Sequence, residues 1–111
     1  MLPKIYRVRK NSEFTKIYQD SRSLAAKNVV LFVRKREDSQ LKIGFSVSKK
    51  NGKAHERNLI KRRMRAVAHE ELAKIKPGHE LVFLARTPIK HASYQEIKRD
   101  MNYLLKKSGV I

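Results

Sequence analysis

Hydrophobic positions along this chain change period several times, and each change marks a new element. Between residues 12 and 20, Phe14, Ile17 and Tyr18 recur at helical spacing behind Ser12 and Glu13, and Ser12 suits a helix N-terminus. Residues 28–36 are β-branched and aromatic and predict a strand. Residues 41–48 alternate Leu41, Ile43, Phe45 and Val47 against Lys42, Gly44, Ser46 and Ser48, as a half-buried strand does. The polar Glu37-Asp38-Ser39-Gln40 between them favours an antiparallel hairpin, and residues 24–26 predict a short strand before it. Helical spacing returns over 55–75 through Ile60, Met64, Val67, Leu72 and Ile75, and Pro77-Gly78 stops it. Residues 81–86 predict another strand, with an apolar run long enough for a central position. Ser93 and Glu96 make a capping-box pair that opens a last helix, with Ile97, Met101, Leu104 and Leu105 on one stripe. The order αβββαβα predicts an α+β two-layer sandwich, a mixed sheet of about four strands with three helices.

Composition narrows what such a domain does. The chain has 111 residues, 41% of them hydrophobic, which suits one domain over 1–111 with a modest core. There is no Cys, which excludes disulfide frameworks, thiolate zinc sites and cysteine nucleophiles. The longest apolar runs are five residues, far short of the roughly 20 a membrane-spanning helix needs. The basic start leads into no apolar stretch of signal-peptide type, so a soluble, cytoplasmic domain is expected.

Charge supplies the partner. Lys and Arg number 27 against 10 Asp and Glu, a net +17, for which a polyanion is the natural ligand. The excess is concentrated: eight of the 17 residues in 49–65 are basic, namely Lys49, Lys50, Lys53, Arg57, Lys61, Arg62, Arg63 and Arg65, opposed only by Glu56. On a helical wheel Asn58, Lys61, Arg62, Arg65 and His69 share one side, opposite Ile60, Met64 and Val67. Arg offers a planar fork to phosphate oxygens, Lys a point charge, and Asn a neutral donor and acceptor. A merely solvated helix face would mix signs; this one points to nucleic acid. Asn51-Gly52 reads as a loop into the helix, because Lys53-Ala54-His55-Glu56 does not alternate as a hairpin strand would. Phe14 and Tyr18, four apart, and Phe32 on a strand read by spacing as a core contact. The alternative is a groove of rings on which unpaired bases stack.

One family combines these features. Gly44-Phe45-Ser46-Val47-Ser48-Lys49-Lys50, then Gly52-Lys53-Ala54, then Arg57-Asn58-Leu59-Ile60-Lys61-Arg62-Arg63-Met64-Arg65 resembles the protein subunit of bacterial ribonuclease P. The likeness extends from Phe14 to Leu81-Val82-Phe83-Leu84-Ala85-Arg86. It implies a subunit that binds the catalytic RNA and the 5′ leader of precursor tRNA, assisting endonucleolytic hydrolysis performed by the RNA with Mg2+ held mainly by RNA and substrate. The resemblance assigns RNA-subunit binding to Lys49, Lys50, Lys53, Arg57, Asn58, Lys61, Arg62 and Arg65, and the leader cleft to Phe14, Tyr18 and Phe32. It assigns no catalytic or metal-binding residue to the protein, requires no protein oligomer, and expects the isolated chain to be inactive. It also implies the architecture of the second domain of ribosomal protein S5, with a left-handed β-α-β crossover against the usual rule. Two residues depart from the family pattern: Leu59 stands where a second Arg is usual, and His55 where an aliphatic residue is. The alternative class is a small ribosomal or other structured-RNA-binding protein. A protein-only nuclease is disfavoured because the ten acids are scattered and His55, His69, His79 and His91 lack metal-ligand spacing. A membrane-surface helix is disfavoured because the apolar side of 55–75 has a sheet to cover.

Overall fold

The computed structural model describes residues 7–8 and 11–111. Its elements run α1 (Asn11–Gln19), β1 (Arg22–Ala25), β2 (Val29–Lys35), β3 (Leu41–Ser46), α2 (Ala54–Glu71), β4 (His79–Ala85) and α3 (Tyr94–Ser108). The strand order is β1-β2-β4-β3, antiparallel except for the parallel β3–β4 pair.

The expected hairpin of residues 28–36 with 41–48 does not form, because β4 lies between them. The apolar run explains this. Leu81, Val82 and Phe83 are all fully buried, so β4 needs cover on both faces. β3 carries Lys42, Gly44 and Ser46 on one face and tolerates the outer position. The 36–40 connection therefore arches over the start of β4. Arg36 N–H donates to the Gly78 carbonyl at 2.9 Å, and Gly78 N–H to the Gln40 carbonyl at 2.8 Å. Gly78 has φ +82°, a left-handed conformation that glycine takes without penalty.

The strand alternation divides the side chains between two faces. Val29, Leu31 and Val33 of β2, with Leu81 and Phe83 of β4, meet Ile60, Met64 and Val67 of α2 and Ile97, Met101, Leu104 and Leu105 of α3. Met64 is wholly enclosed, and truncating such a side chain costs about 2–5 kcal/mol. On the opposite face α1 covers a smaller cluster of Val8, Ile17 and Val82, joined by Phe14 and Phe32.

Local signals set the helix ends. Ser93 Oγ accepts from Glu96 N–H at 3.1 Å, and Glu96 Oε1 accepts from Ser93 N–H at 2.9 Å, the capping box expected. α1 starts earlier than expected, at Asn11. Ser12 stands inside the first turn, where small polar residues are also tolerated.

Candidate nucleic-acid interface

The approach to α2 is a short 3₁₀ turn, Lys49–Asn51, followed by Gly52 at φ +112°. That φ favours glycine, and a Cβ there would meet the Glu56 carboxyl at 2.8–2.9 Å and push it aside. Lys53 N–H donates to Glu56 Oε1 at 3.1 Å, and this bond holds the Glu56 carboxyl below its usual pKa. The one acid of the basic stretch is thus spent on the helix start.

α2 turns Ile60, Met64, Val67 and Ala68 into the core. Asn58, Arg62 and His69 are exposed, Lys61 and Arg65 half-exposed, and Lys49, Lys50 and Lys53 exposed at the approach. Arg57 is half-buried, and its Nε is enclosed without a hydrogen-bond partner among the described residues. None of these cations has a carboxylate within 4.0 Å among the described residues, whereas Arg34, Arg36, Lys74, Lys98 and Arg99 do. The acids neutralise other parts of the molecule and leave this face positive.

The aromatic residues meet on the other side of the sheet. Gly44 of β3 lets α1 approach: a Cβ there would lie 2.8 Å from the Phe14 ring. Phe14 and Tyr18 have ring centroids 6.3 Å apart, and Tyr18 meets Phe32 edge-on at 4.9 Å. Ile17 is the residue that α1 buries completely, so Tyr18 is left 37% exposed. Beside α1 runs an open groove of about 390 Å³, lined by Asn11, Phe14, Thr15, Tyr18, Ser46 and Lys61 among others. Phe32 is not in its wall and instead backs Tyr18. Lys61 comes from α2, so one cation belongs both to the basic helix and to the aromatic groove.

From Ser46 in the groove wall, the sheet register continues a row across the sheet that sequence reasoning did not assign. Ser46 pairs Leu84, Leu84 pairs Val30, and Val30 pairs Ala25, one row across four strands, with all four residues half-buried or exposed. At about 4.8 Å between strands this row is roughly 14 Å long. Its trace in the sequence was the apolar Val30 and Leu84 on the faces turned away from the core positions.

The far end of the same face is neutralised. Arg34 contacts buried Glu80 at 2.7 Å and Asp20 at 3.4 Å; Arg36 contacts Asp38 at 2.7 Å and Glu80 at 3.5 Å. With these carboxylates committed to guanidinium groups, and no group of three or more His, Cys, Asp or Glu that could hold a metal among the described residues, the side chains present do not fit a magnesium site. No helix among the described residues is long and apolar enough to cross a membrane.

Comparison with known proteins converges on one family. A family pattern for Ribonuclease P matches residues 2–109. The ribonuclease P protein component of Geobacillus kaustophilus is 40% identical over 109 residues, covering 97% of this chain and 90% of its own. That of Oceanobacillus iheyensis is 38% identical over 111 residues, covering 99% and 92%. The solved RNase P protein of Staphylococcus aureus superposes with a TM-score of 0.88 at 32% identity, covering 96% of this chain and 98% of its own.

Proposed function

The chain belongs to the ribonuclease P protein family, and from that premise we propose that its two surfaces take two different RNAs. Members of this family are the protein subunit of ribonuclease P, a tRNA-processing endoribonuclease, and partner its RNA subunit. The basic face of α2, with Lys49, Lys50, Lys53, Arg57, Asn58, Lys61, Arg62 and Arg65, docks on that RNA subunit. The groove between α1 and α2 receives the single-stranded 5′ leader of precursor tRNA in the cytoplasm, with bases against Phe14 and Tyr18 and Phe32 fixing the Tyr18 ring.

The observation that carries this reading is Lys61, which lines the groove while standing on the docking helix. A leader held there lies against the same helix that grips the RNA subunit, so the scissile region is brought to the RNA. Hydrolysis belongs to the RNA, with Mg2+ held mainly by RNA and substrate. The protein's residues bind, orient and neutralise phosphates.

Reconstitution with the RNA subunit at low magnesium tests it. Tyr18→Ala removes one stacking platform, worth about 1–3 kcal/mol per base, so KM for a leader-bearing precursor rises about 5-fold or more. Affinity for mature tRNA and for the RNA subunit stays at the wild-type value. An equal loss with mature tRNA contradicts the assignment of the groove to the leader.

A further inference from the structure

The register row that starts at Ser46 in the groove wall ends at Ala25, on the edge strand β1, and α3 packs beside that edge. Two bonds tie the edge to this helix. Arg22 Nη2 donates to the Ser108 carbonyl at 2.9 Å, and Asn28 donates from its backbone N–H and its Nδ2 to Asp100 Oδ2 at 3.0 and 2.9 Å. Lys27, in the β1–β2 turn, is exposed and lies close enough to Glu96 of α3 to act on its charge. A strand leaving the groove over β1 therefore meets α3 next.

The outward face of α3 is basic and presents a ring. Tyr103 is 49% exposed. Lys107 Nζ donates to its hydroxyl at 3.1 Å and stands 5.5 Å from the ring centroid, which holds the ring in place. Arg99 lies one turn earlier on the same face, with Lys106 beside it, and both are exposed. The acids of α3 offset these cations only in part. Glu96 is bonded to the Ser93 backbone, and Asp100 is bonded to Asn28 and pairs with Arg99 at 3.4 Å, while Lys106 and Lys107 have no carboxylate within 4.0 Å among the described residues.

We propose that Lys27, Arg22 and the outward face of α3, with Tyr103 as a stacking platform, hold the upstream part of a long 5′ leader. The proposal rests on the groove being the leader's path. Cations interspersed with an exposed ring suit a single strand, whose phosphates and bases alternate. A second copy of this chain, itself at +17, would be repelled.

The test uses the full chain with its RNA subunit and two precursors, one whose leader ends within the groove and one whose leader extends past the β1 edge. Tyr103→Ala, alone and with Lys107→Ala, raises KM for the long-leader precursor about 5-fold or more and leaves the short-leader precursor unchanged. Tyr103→Phe, which keeps the ring, stays close to wild type, and melting curves verify that each variant folds. Equal losses on both precursors, which would set α3 against the RNA subunit, overturn the proposal; so does no loss on either. Failure of the groove reading registers separately, as a short-leader precursor indifferent to Tyr18→Ala.

Discussion

Leu59 shows how one residue tunes a charged surface. It is 41% exposed on α2, in a hollow shared with His55, Glu56, Arg63, Ile89 and Lys90, so an apolar side chain stands where basic groups outnumber the one acid. Nothing in its packing demands Leu. Leu59→Arg should add about one phosphate contact, strengthening RNA-subunit binding and steepening its salt dependence by about one in the log–log slope. Filter binding across a salt series measures this; an unchanged slope would place residue 59 outside the contact. At the same scale, acids that look alike in the sequence part ways in the fold. Asp20 lies on the surface, whereas Asp100 is buried and bonded twice to Asn28. Position 100 precedes the apolar Met101 without itself looking internal, because its partner lies 72 residues away.

Among the elements, α2 was legible because one helix carries both of its faces, and the wheel separates Ile60, Met64 and Val67 from Asn58, Arg62 and Arg65 without help from tertiary structure. The α3 cap was legible for the same reason, since both of its partners lie within four residues. The β2–β3 pairing was not. A short polar connection permits a hairpin or an arch, and only the need of β4 for cover on both faces decides between them. The groove inherits that difficulty. The row of Ser46, Leu84 and Val30 that continues from it depends on the register of three strands, and the Tyr18–Phe32 contact depends on where α1 crosses them. Spacing alone made Phe14 and Tyr18 a core pair; the structure packs Phe14 against the small cluster but leaves Tyr18 half-open at its edge. For α2 itself, neutralising about 6–10 phosphates predicts an affinity falling about 10³–10⁵-fold between 50 and 200 mM salt. Replacing Lys61 and Arg65 with Ala should flatten that dependence by about two phosphates' worth, whereas the same change at exposed Lys74 and Lys76 should do little. Equal flattening by both pairs would mean a diffuse cloud of charge in place of a docking face.

Across the whole molecule, +17 becomes intelligible as a division of labour between acids and bases. Most of the carboxylates are engaged within the fold, and several are held more acidic for it. Arg36, with the Gln40 N–H, takes Asp38 from 3.8 to about 2. The Tyr94 hydroxyl and Lys98 lower Glu70, while backbone N–H groups at helix starts lower Glu56 and Glu96. The reciprocal effect on Tyr94 lifts its phenol to about 12, so it stays a neutral donor. A folded pKa below the unfolded one stabilises wherever the carboxylate is ionised, and that contribution is lost as pH falls through the folded value. The melting temperature should therefore hold between about pH 5 and 8 and fall progressively from about pH 4.5 towards 2. A scanning calorimetry series checks this, and a melting temperature that holds through pH 3 would contradict the assigned pairings.

In the proposed arrangement α2 faces the RNA subunit while the α1 groove faces the leader, with Lys61 at the junction. Photocrosslinking in the assembled holoenzyme bound to precursor tRNA tests it most directly, with a photoreactive side chain placed at residue 62 or at residue 18. Position 62 should crosslink to the RNA subunit and position 18 to the leader. Crosslinks from both positions to the same RNA would contradict it.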